Sequence, residues 1–592
     1  MATTSSSCTS TSSAYHSFKV RLAIDVIKEH FGPLVAEVAS LLMRSDTLTL
    51  PEIYKYFRQH AQERSFTTAS TNEIVPIDDP AVVRNCLLVL RRHNILVIDF
   101  KPLYRVDDST DEKVKEQNEL SKVLHYSIDV EMALNRLRLP RVLLVAREVV
   151  GSFGLSIVEE LIVEGQSSVN KLVKLVHELI LSQSDHSEEI IELKALPEAS
   201  LVGKIEKAIE ELIQNRLIVE VTQMATGPKI IVASEKEKKR QGADTGNDSG
   251  KATKKRKKAL SSNGEEEVVG VIGNENPSSG GVLTNAQMES TSTTVKRDVW
   301  YTINYDEIFR RLQYKAIVTL ATQRINRVGG KVIEIILNES LRFQVPGYSV
   351  SQEEQSHPIT WNHLLDFISR EGCISEKPLK PKKATEVLTN AIDELQRDAV
   401  GLITKTTYNN QLSFRVNIRK VISFLQWKVK HSIAVERYGK WSGRIVELLG
   451  RHKHLDQHSI GEMAIIPARD ARERLYSMYR DKWVDYVEIC KRNDYNPSST
   501  YYFWFLDRLK LDASLQESLF MSMLNLRKRK LHELKRDCSW SQSFMTAMAL
   551  GAGGENSSLE KQKEMEKVNF ALDRIDQAII QTDYTAIVLG RF

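Results

Sequence analysis

One local pattern occurs four times in this chain of 592 residues, and it restricts the possible folds more than any single motif does. Near the end of a stretch with helical apolar period, two apolar residues stand three apart. An Asn or Asp follows within about one turn, and a β-rich run comes next. Leu87, Leu90 and Asn94 lead into Ile95–Ile98, and Ile209, Leu212 and Asn215 lead into Leu217–Val221. Ile392, Leu395 and Asp398 lead into Val400–Ile403, and Leu475, Met478 and Asp481 lead into Trp483–Val487. Short polar side chains compete with the helical backbone and favour helix ends. Short runs rich in β-branched and aromatic residues favour strands. A helix that stops and turns straight into a hairpin is the closing half of a winged helix, so the pattern predicts four such modules.

The intervening sequence supplies the rest of each module. Residues 15–128 form the first: Phe18–Glu29 has helical period, Gly32-Pro33 breaks it, and Leu34, Val38, Leu41 and Leu42 carry the buried face of a second helix. Its polar stretch 107–121 reads as an enlarged wing. Residues 129–234 form the second, with Gly165 as a helix stop and Ile230–Val232 pairing with Leu217–Val221 across the turn signal Ala225-Thr226-Gly227-Pro228. Residues 235–294 are rich in Gly, Ser, Asn, Lys and Glu and lack aromatics, which predicts a disordered charged linker between modules. Residues 295–417 form the third module, with a long helix over 305–327, a Gly-Gly break before Val332–Leu337, and a hairpin closed at Tyr408-Asn409-Asn410. Residues 418–506 form the fourth, its last helix opened by Pro467. Over 507–592, Met565, Val568, Leu572, Ile575, Ile579, Thr582 and Ala586 alternate by three and four. Leu511, Leu515, Leu519 and Leu526 share a second helical face, and Gly551–Gly554 separates the two runs. The fold class is therefore mainly α with small β-hairpins, four winged-helix modules and a C-terminal antiparallel coiled-coil hairpin.

Charge bounds the partners. With 82 basic and 77 acidic residues the net charge is +5, so any nucleic-acid contact must come from local patches. The five cysteines lie far apart with no CxxC, which fits a reducing compartment and neither a disulfide framework nor a zinc knuckle. The Ser/Thr-rich start has no apolar core, and no run approaches the roughly 18 apolar residues of a membrane span, so the chain reads as soluble and intracellular. No P-loop, GxGxxG, GxSxG or HExxH occurs, so no cofactor or catalytic residue is expected. His452, His454 and His458 have no nearby cysteine and read as a solvated loop. The acid pairs Asp78-Asp79 and Glu159-Glu160 read as a helix start and a helix surface.

Basic clusters remain. Lys238-Lys239-Arg240 and Lys254-Lys255-Arg256-Lys257-Lys258, thirteen residues apart, have the form of a bipartite nuclear import signal, set against a merely solvated linker or a DNA-contact arm. Arg527–Lys530 on a tail helix reads as a solvated face. Three patches are candidate DNA contacts: Arg84, Arg91 and Arg92; Arg136, Arg138 and Arg141 around Pro140; and Lys380, Lys382 and Lys383. The presumptive recognition helices are mixed. Glu386, Asp393 and Glu394 lie on one, and Glu206, Glu210 and Glu211 on another, where acids would face phosphate at a cost. Most modules therefore read as protein-docking faces.

Several stretches, in order, carry a family resemblance: Glu29-His30-Phe31-Gly32, Leu137–Arg141, Val158–Gly165, Glu436–Gly439 with Arg444-Ile445, and Ala464–Ala471. The chain resembles the third-largest subunit of RNA polymerase III from Leu22 to Tyr495, a family related in design to general transcription factor IIE. The resemblance implies four winged helices around a coiled-coil stalk seated on the polymerase clamp. It implies a nuclear protein binding two smaller subunits specific to that polymerase, and a role in promoter-directed initiation for small RNAs such as 5S rRNA and tRNA. That role includes opening DNA and holding promoter strands through sequence-independent single-strand affinity. It implies no catalytic, metal or cofactor site. A free-standing winged-helix DNA-binding regulator and a protein-only nuclear scaffold are the alternative readings of the same modules.

Overall fold

The computed structural model describes residues 17–45, 47–60, 65–67, 74–76, 79–102, 122–182, 198–221, 299–343, 354–370, 381–408, 411–490, 500–549 and 555–592. The fourfold pattern takes shape as a fourfold turn. After the helices Pro80–Arg92, Glu198–Gln214, Pro381–Arg397 and Ala468–Arg480, one residue adopts the left-handed conformation: Asn94 (φ 57°), Arg216 (57°), Gly401 (69°) and Lys482 (61°). In three of the turns two crossing bonds close a Schellman cap. Asn94 N–H donates to Arg91 O at 3.0 Å and Ile95 N–H to Leu90 O at 2.9 Å; Arg216 and Leu217 repeat this at 3.0 and 3.0 Å, Lys482 and Trp483 at 2.9 and 2.8 Å. The paired residues Leu90/Ile95, Leu212/Leu217 and Met478/Trp483 are all buried, giving the apolar contact that seals such a cap. The strained position is therefore Asn94 in the first module. In the others it is one or more residues beyond the Asn or Asp that marks the helix end.

In the first module, helices Phe18–Phe31 and Pro33–Ser45 meet at Gly32, whose φ of 88° lets the chain reverse before Pro33. Strand β1 (Leu48–Thr49) leads into helix Leu50–Gln59, where the Glu52 carboxylate accepts from Thr49 N–H at 2.7 Å. A small hairpin of β2 (Ser65–Thr67) and β3 (Ile74–Pro76) precedes the last helix. Strands β4 (Leu96–Pro102) and β5 (Lys122–Ile128) form the wing, in sheet order β1–β5–β4.

The second module repeats the order after Val130–Leu134, a 3-10 turn at Asn135–Arg138 and helix Leu139–Val150. Helix Ser152–Glu164 ends at Gly165, and β6 (Ser167–Ser168) leads into Val169–Ser182. Its wing differs from the sequence expectation. Strand β7 (Ile218–Glu220) pairs antiparallel with β8 (Trp300–Ile303), with Ile218 opposite Ile303 and Glu220 opposite Tyr301. The third strand of the sheet is thus Trp300–Ile303. The stretch expected to link two modules joins the two wing strands of one, and the second module runs on to residue 303. Ile230–Val232 lies outside the described residues.

The third module holds helices Tyr305–Arg324 and Arg327–Arg342, β9 (Ile359–Thr360), helix Trp361–Arg370 and the hairpin β10 (Ile403–Tyr408) with β11 (Gln411–Val416). Gly329 and Gly330 do not break a helix. They lie in the first turn of Arg327–Arg342, and a Cβ on Gly330 would come 2.0 Å from Thr322 Oγ1, so glycine admits the close approach of the two helices. The fourth module has helices Ile418–Tyr438, Lys440–Arg451 and Gln457–Ala464, and strands β12 (Leu455–Asp456), β13 (Asp485–Cys490) and β14 (Thr500–Phe505) in order β12–β14–β13.

A polar residue hands each module to the next. Asp129, Asn304 and Asn417 donate their N–H to Ile95, Leu217 and Leu402 O at 2.9–3.0 Å, tying the end of the wing to the cap. Asp129 and Asn304 then cap the following helix, and Asp507 caps the stalk by accepting from Leu509 and Lys510 N–H. The stalk pairs Arg508–Ala549 with Glu555–Gly590. Gly590 lies against Gln516, and Lys530 Nζ bonds Asp576 at 2.7 Å, an equal step along each helix in opposite directions, as an antiparallel hairpin requires.

Candidate functional site: a common stalk and four helix-wing faces

The root of the stalk belongs to the core. Phe520, Met523, Leu524 and Ala586 are buried with the first module's Leu22, Val26 and Ile27, while Leu511, Leu515 and Leu589 are buried with the fourth module's Ile445, Leu475 and Trp483. Two modules distant in sequence therefore share apolar cores with the same helices. Arg527 adds ion pairs to Asp25 (2.8 Å) and Glu29. It is an anchor and no part of a solvated face.

The arginines around Pro140 sit at this junction. Arg138 is 4% exposed; its Nε donates to Asp583 Oδ1 at 3.3 Å and its Nη1 to Asn135 Oδ1 at 2.8 Å. Burial raises the Asp583 pKa, and the adjacent Arg138 opposes that rise. Arg141 donates to Ile580 O at 2.9 Å and stands 4.5 Å from the Tyr584 ring centroid. Arg136 donates to Ile162 O at 3.1 Å, bonds His93 Nδ1 and lies 4.9 Å from the Phe31 ring. Burial first, then the charges of Arg136 and Arg92, pushes His93 down to about 3, so its imidazole is neutral at any physiological pH. These three guanidiniums lock modules and stalk together. As a DNA-facing patch the three are poorly placed: Arg138 is buried, Arg136 and Arg141 are half-buried, and each commits a donor to a protein acceptor.

The other candidates are more accessible. Arg84 is exposed, its Nε donating to Tyr54 Oη at 3.1 Å. Arg91 is half-buried and reaches Leu96 O at 3.4 Å. Arg92 pairs with Glu164 of the second module, which Lys171 also meets at 2.5 Å. Lys383 is exposed near the start of its helix; Lys380 and the Lys382 side chain lie outside the described residues, as do Lys238–Arg240 and Lys254–Lys258. Glu386, Asp393 and Glu394 are exposed on the third module's last helix, and Glu210 on the second's.

The fourth module's last helix is different. Ala471, Leu475 and Met478 face its core, which turns Arg469, Arg472, Tyr476, Tyr479 and Arg480 outward, with Glu473 the one acid among them. None of these residues is among the candidate DNA contacts that the basic clusters suggest. The signal was present, because a helix whose 3.6-residue period buries three apolar side chains must present whatever lies opposite them.

Helix, short strand, two helices and a wing, closed by a sheet in which the first strand pairs with the last, define a winged helix. This chain is an array of four on an antiparallel coiled-coil stalk. Family models match three stretches of the chain. "RNA polymerase III subunit RPC82 helix-turn-helix domain" matches residues 21–58, "RNA polymerase III subunit RPC82" matches 207–425, and "POLR3C, C-terminal winged-helix domain" matches 431–506. The chain is 23% identical over 606 residues to DNA-directed RNA polymerase III subunit RPC3 of Danio rerio, covering 97% of this chain and 98% of that one. It is 21% identical to the Homo sapiens protein of the same name, over 604 residues with the same coverage. The chain belongs to the family of the third-largest subunit of RNA polymerase III, and so to a multisubunit transcription enzyme.

Proposed function

We propose that this chain is a non-catalytic subunit acting in promoter-directed initiation. In this reading it binds two smaller polymerase-specific subunits, sits on the clamp, and helps open DNA and hold the separated strands. The observation that carries the reading is the fusion of stalk and modules into shared cores, which leaves helix-wing faces such as Ala468–Arg480 pointing outward from a rigid frame. Such a frame suits docking several partners at set distances, and its function needs no reacting group of its own. The exposed acids on the third module's last helix favour protein contacts there, while Arg84, Arg91, Arg92, Lys380, Lys382 and Lys383 stay candidates for contacts with the DNA backbone.

Affinity purification from nuclei followed by crosslinking to photoreactive promoter DNA tests the role. Recovery of the polymerase core with two small subunits, and a DNA crosslink to this chain, is the expected result. A sequence-specific footprint by the isolated chain would instead make it a free-standing regulator, and core recovery without any DNA crosslink would make it a protein-only scaffold. The protein is read as nuclear, with Lys238, Lys239, Arg240, Lys254, Lys255, Arg256, Lys257 and Lys258 as its import signal in the connection between β7 and β8.

A further inference from the structure

We infer that a cleft in the third module is a receptor for an arginine side chain presented by a partner protein. The cleft, of about 470 Å³, opens where three parts of the module meet: the start of helix Trp361–Arg370, the second half of helix Pro381–Arg397, and the wing strands β10 and β11. Its floor is apolar. Ile392 and Phe414 are buried and Leu412 is half-buried. The half-buried Trp361 ring stands 6.0 Å from the Phe414 ring, which backs it. Around this floor lie Asn362, Asp393, Gln396 and Gln411, all exposed. Among the described residues, none of these four side chains has a hydrogen-bond or ion-pair partner.

A carboxylate, amide oxygens and an aromatic ring over an apolar bed match one side chain. A guanidinium carries five N–H donors in a plane and no acceptor. Its fork pairs with a carboxylate through two parallel bonds, its face stacks on an aromatic ring, and its methylene stem covers apolar surface. Asp393 offers the carboxylate, Trp361 the ring, and Asn362, Gln396 and Gln411 the amides. A lysine would find the carboxylate but could neither fork nor stack as well. Charge decides against an anion. Glu386 and Glu394 are exposed on the same helix as Asp393, and Lys405 is the cation lining the cleft. Lys383 is about 15 Å from Asp393 along the helix axis. A phosphate could use Lys405 and the start of helix Trp361–Arg370, but three carboxylates would repel its approach, whereas a basic segment is drawn by them. The inference deepens the protein-docking reading of the third module and rests on it.

The measurement is fluorescence anisotropy of the full chain with three labelled glycine-flanked peptides that differ in one residue: arginine, lysine, or citrulline, the neutral isostere. The arginine peptide is expected to bind saturably, the lysine peptide more weakly, and the citrulline peptide about ten-fold or more below arginine. Asp393→Asn is expected to cost the arginine peptide about as much, while Glu210→Gln, an exposed acid of the second module, changes nothing. Lys405→Ala is expected to tighten binding by about two-fold. Matching thermal melts of the variants exclude unfolding. No saturable binding of the arginine peptide, equal affinity for its citrulline counterpart, or undiminished binding by Asp393→Asn overturns the inference. So does weaker binding by Lys405→Ala, which would make the cleft an anion site. Failure of the docking reading is read separately. If purification from nuclei recovers no partner while the peptide pattern holds, that reading falls and the arginine site stands.

Discussion

Single residues set where each module bends. An L-residue in the left-handed region costs roughly 1–2 kcal/mol, and Lys482 and Arg216 bear it so that Trp483 and Leu217 can return to the core. Lys482→Gly is therefore expected to raise unfolding stability by about 0.5–1 kcal/mol in urea melts, the relief of strain being partly offset by the freer unfolded chain. Beside it, Asp481 accepts from Tyr438 Oη at 2.6 Å and pairs with Arg437 at 3.1 Å; the Tyr438 bond, then the charges of Arg437 and Arg480, hold its carboxyl below the ordinary value. A lowered native pKa means that the unfolded chain binds the proton more readily. The stabilisation is present above the ordinary carboxylate value of about 4 and is lost as pH falls through the native one. Asp481→Asn is expected to lower stability at neutral pH and to lose less than the wild type between pH 5 and the acid limit, as followed by tryptophan fluorescence. The sequence marked Asp481 as a helix stop. Its bond to Tyr438, forty-odd residues earlier, depends on how two helices cross, which no local pattern encodes.

At the scale of elements, the second wing carries the main lesson. Helix, cap and β7 were legible because each depends on neighbours in sequence. The partner of β7 was not, because strand pairing is set by where the chain returns. Ile230–Val232 and Trp300–Ile303 both have strand composition, and the ladder of β7 on β8 with the Asn304 amide on Leu217 O marks Trp300–Ile303 as the strand that closes the sheet. Loop-closure entropy rises slowly with length, so a long connection there costs little. Replacing residues 224–296 with a short Gly-rich turn is expected to leave the melting temperature equal or slightly higher by circular dichroism, with a loss of nuclear accumulation in cells lacking the partner subunits. A collapse of the second module on deletion would show that the segment is part of its core. The last helices sort by the same logic. Acids on the third and the Arg/Tyr face of the fourth were both in the sequence, but only helical phase tells which of them meet solvent.

The whole molecule is held by groups that a local reading takes for surface. Arg138 and Asp583, 4% and 3% exposed, join the start of the second module to the far end of the chain. Arg138→Ala would strand a carboxylate in the interior, and a loss of about 3–5 kcal/mol is expected by urea denaturation. The double change Arg138→Met/Asp583→Leu removes both charges and is expected to recover most of it, separating the penalty of an unpaired charge from lost packing. If the single change costs under about 1 kcal/mol, the pair is not the junction described.

By itself the sequence determined four helix-to-wing modules, their polar caps, the two-helix stalk and the kinship with a polymerase subunit. Each of these is written in periodicity or in the order of short motifs. Tertiary structure alone decided that the long charged segment connects the two strands of one wing, and that the Pro140 arginines tie modules and stalk together. It also decided that the first and fourth modules share their cores with one stalk, and that tyrosines and arginines gather on the fourth module's outer face. The physical reason is common to all of these. Helices, caps and strands follow from contacts within a few residues, whereas burial and charge pairing follow from contacts between residues tens to hundreds of positions apart.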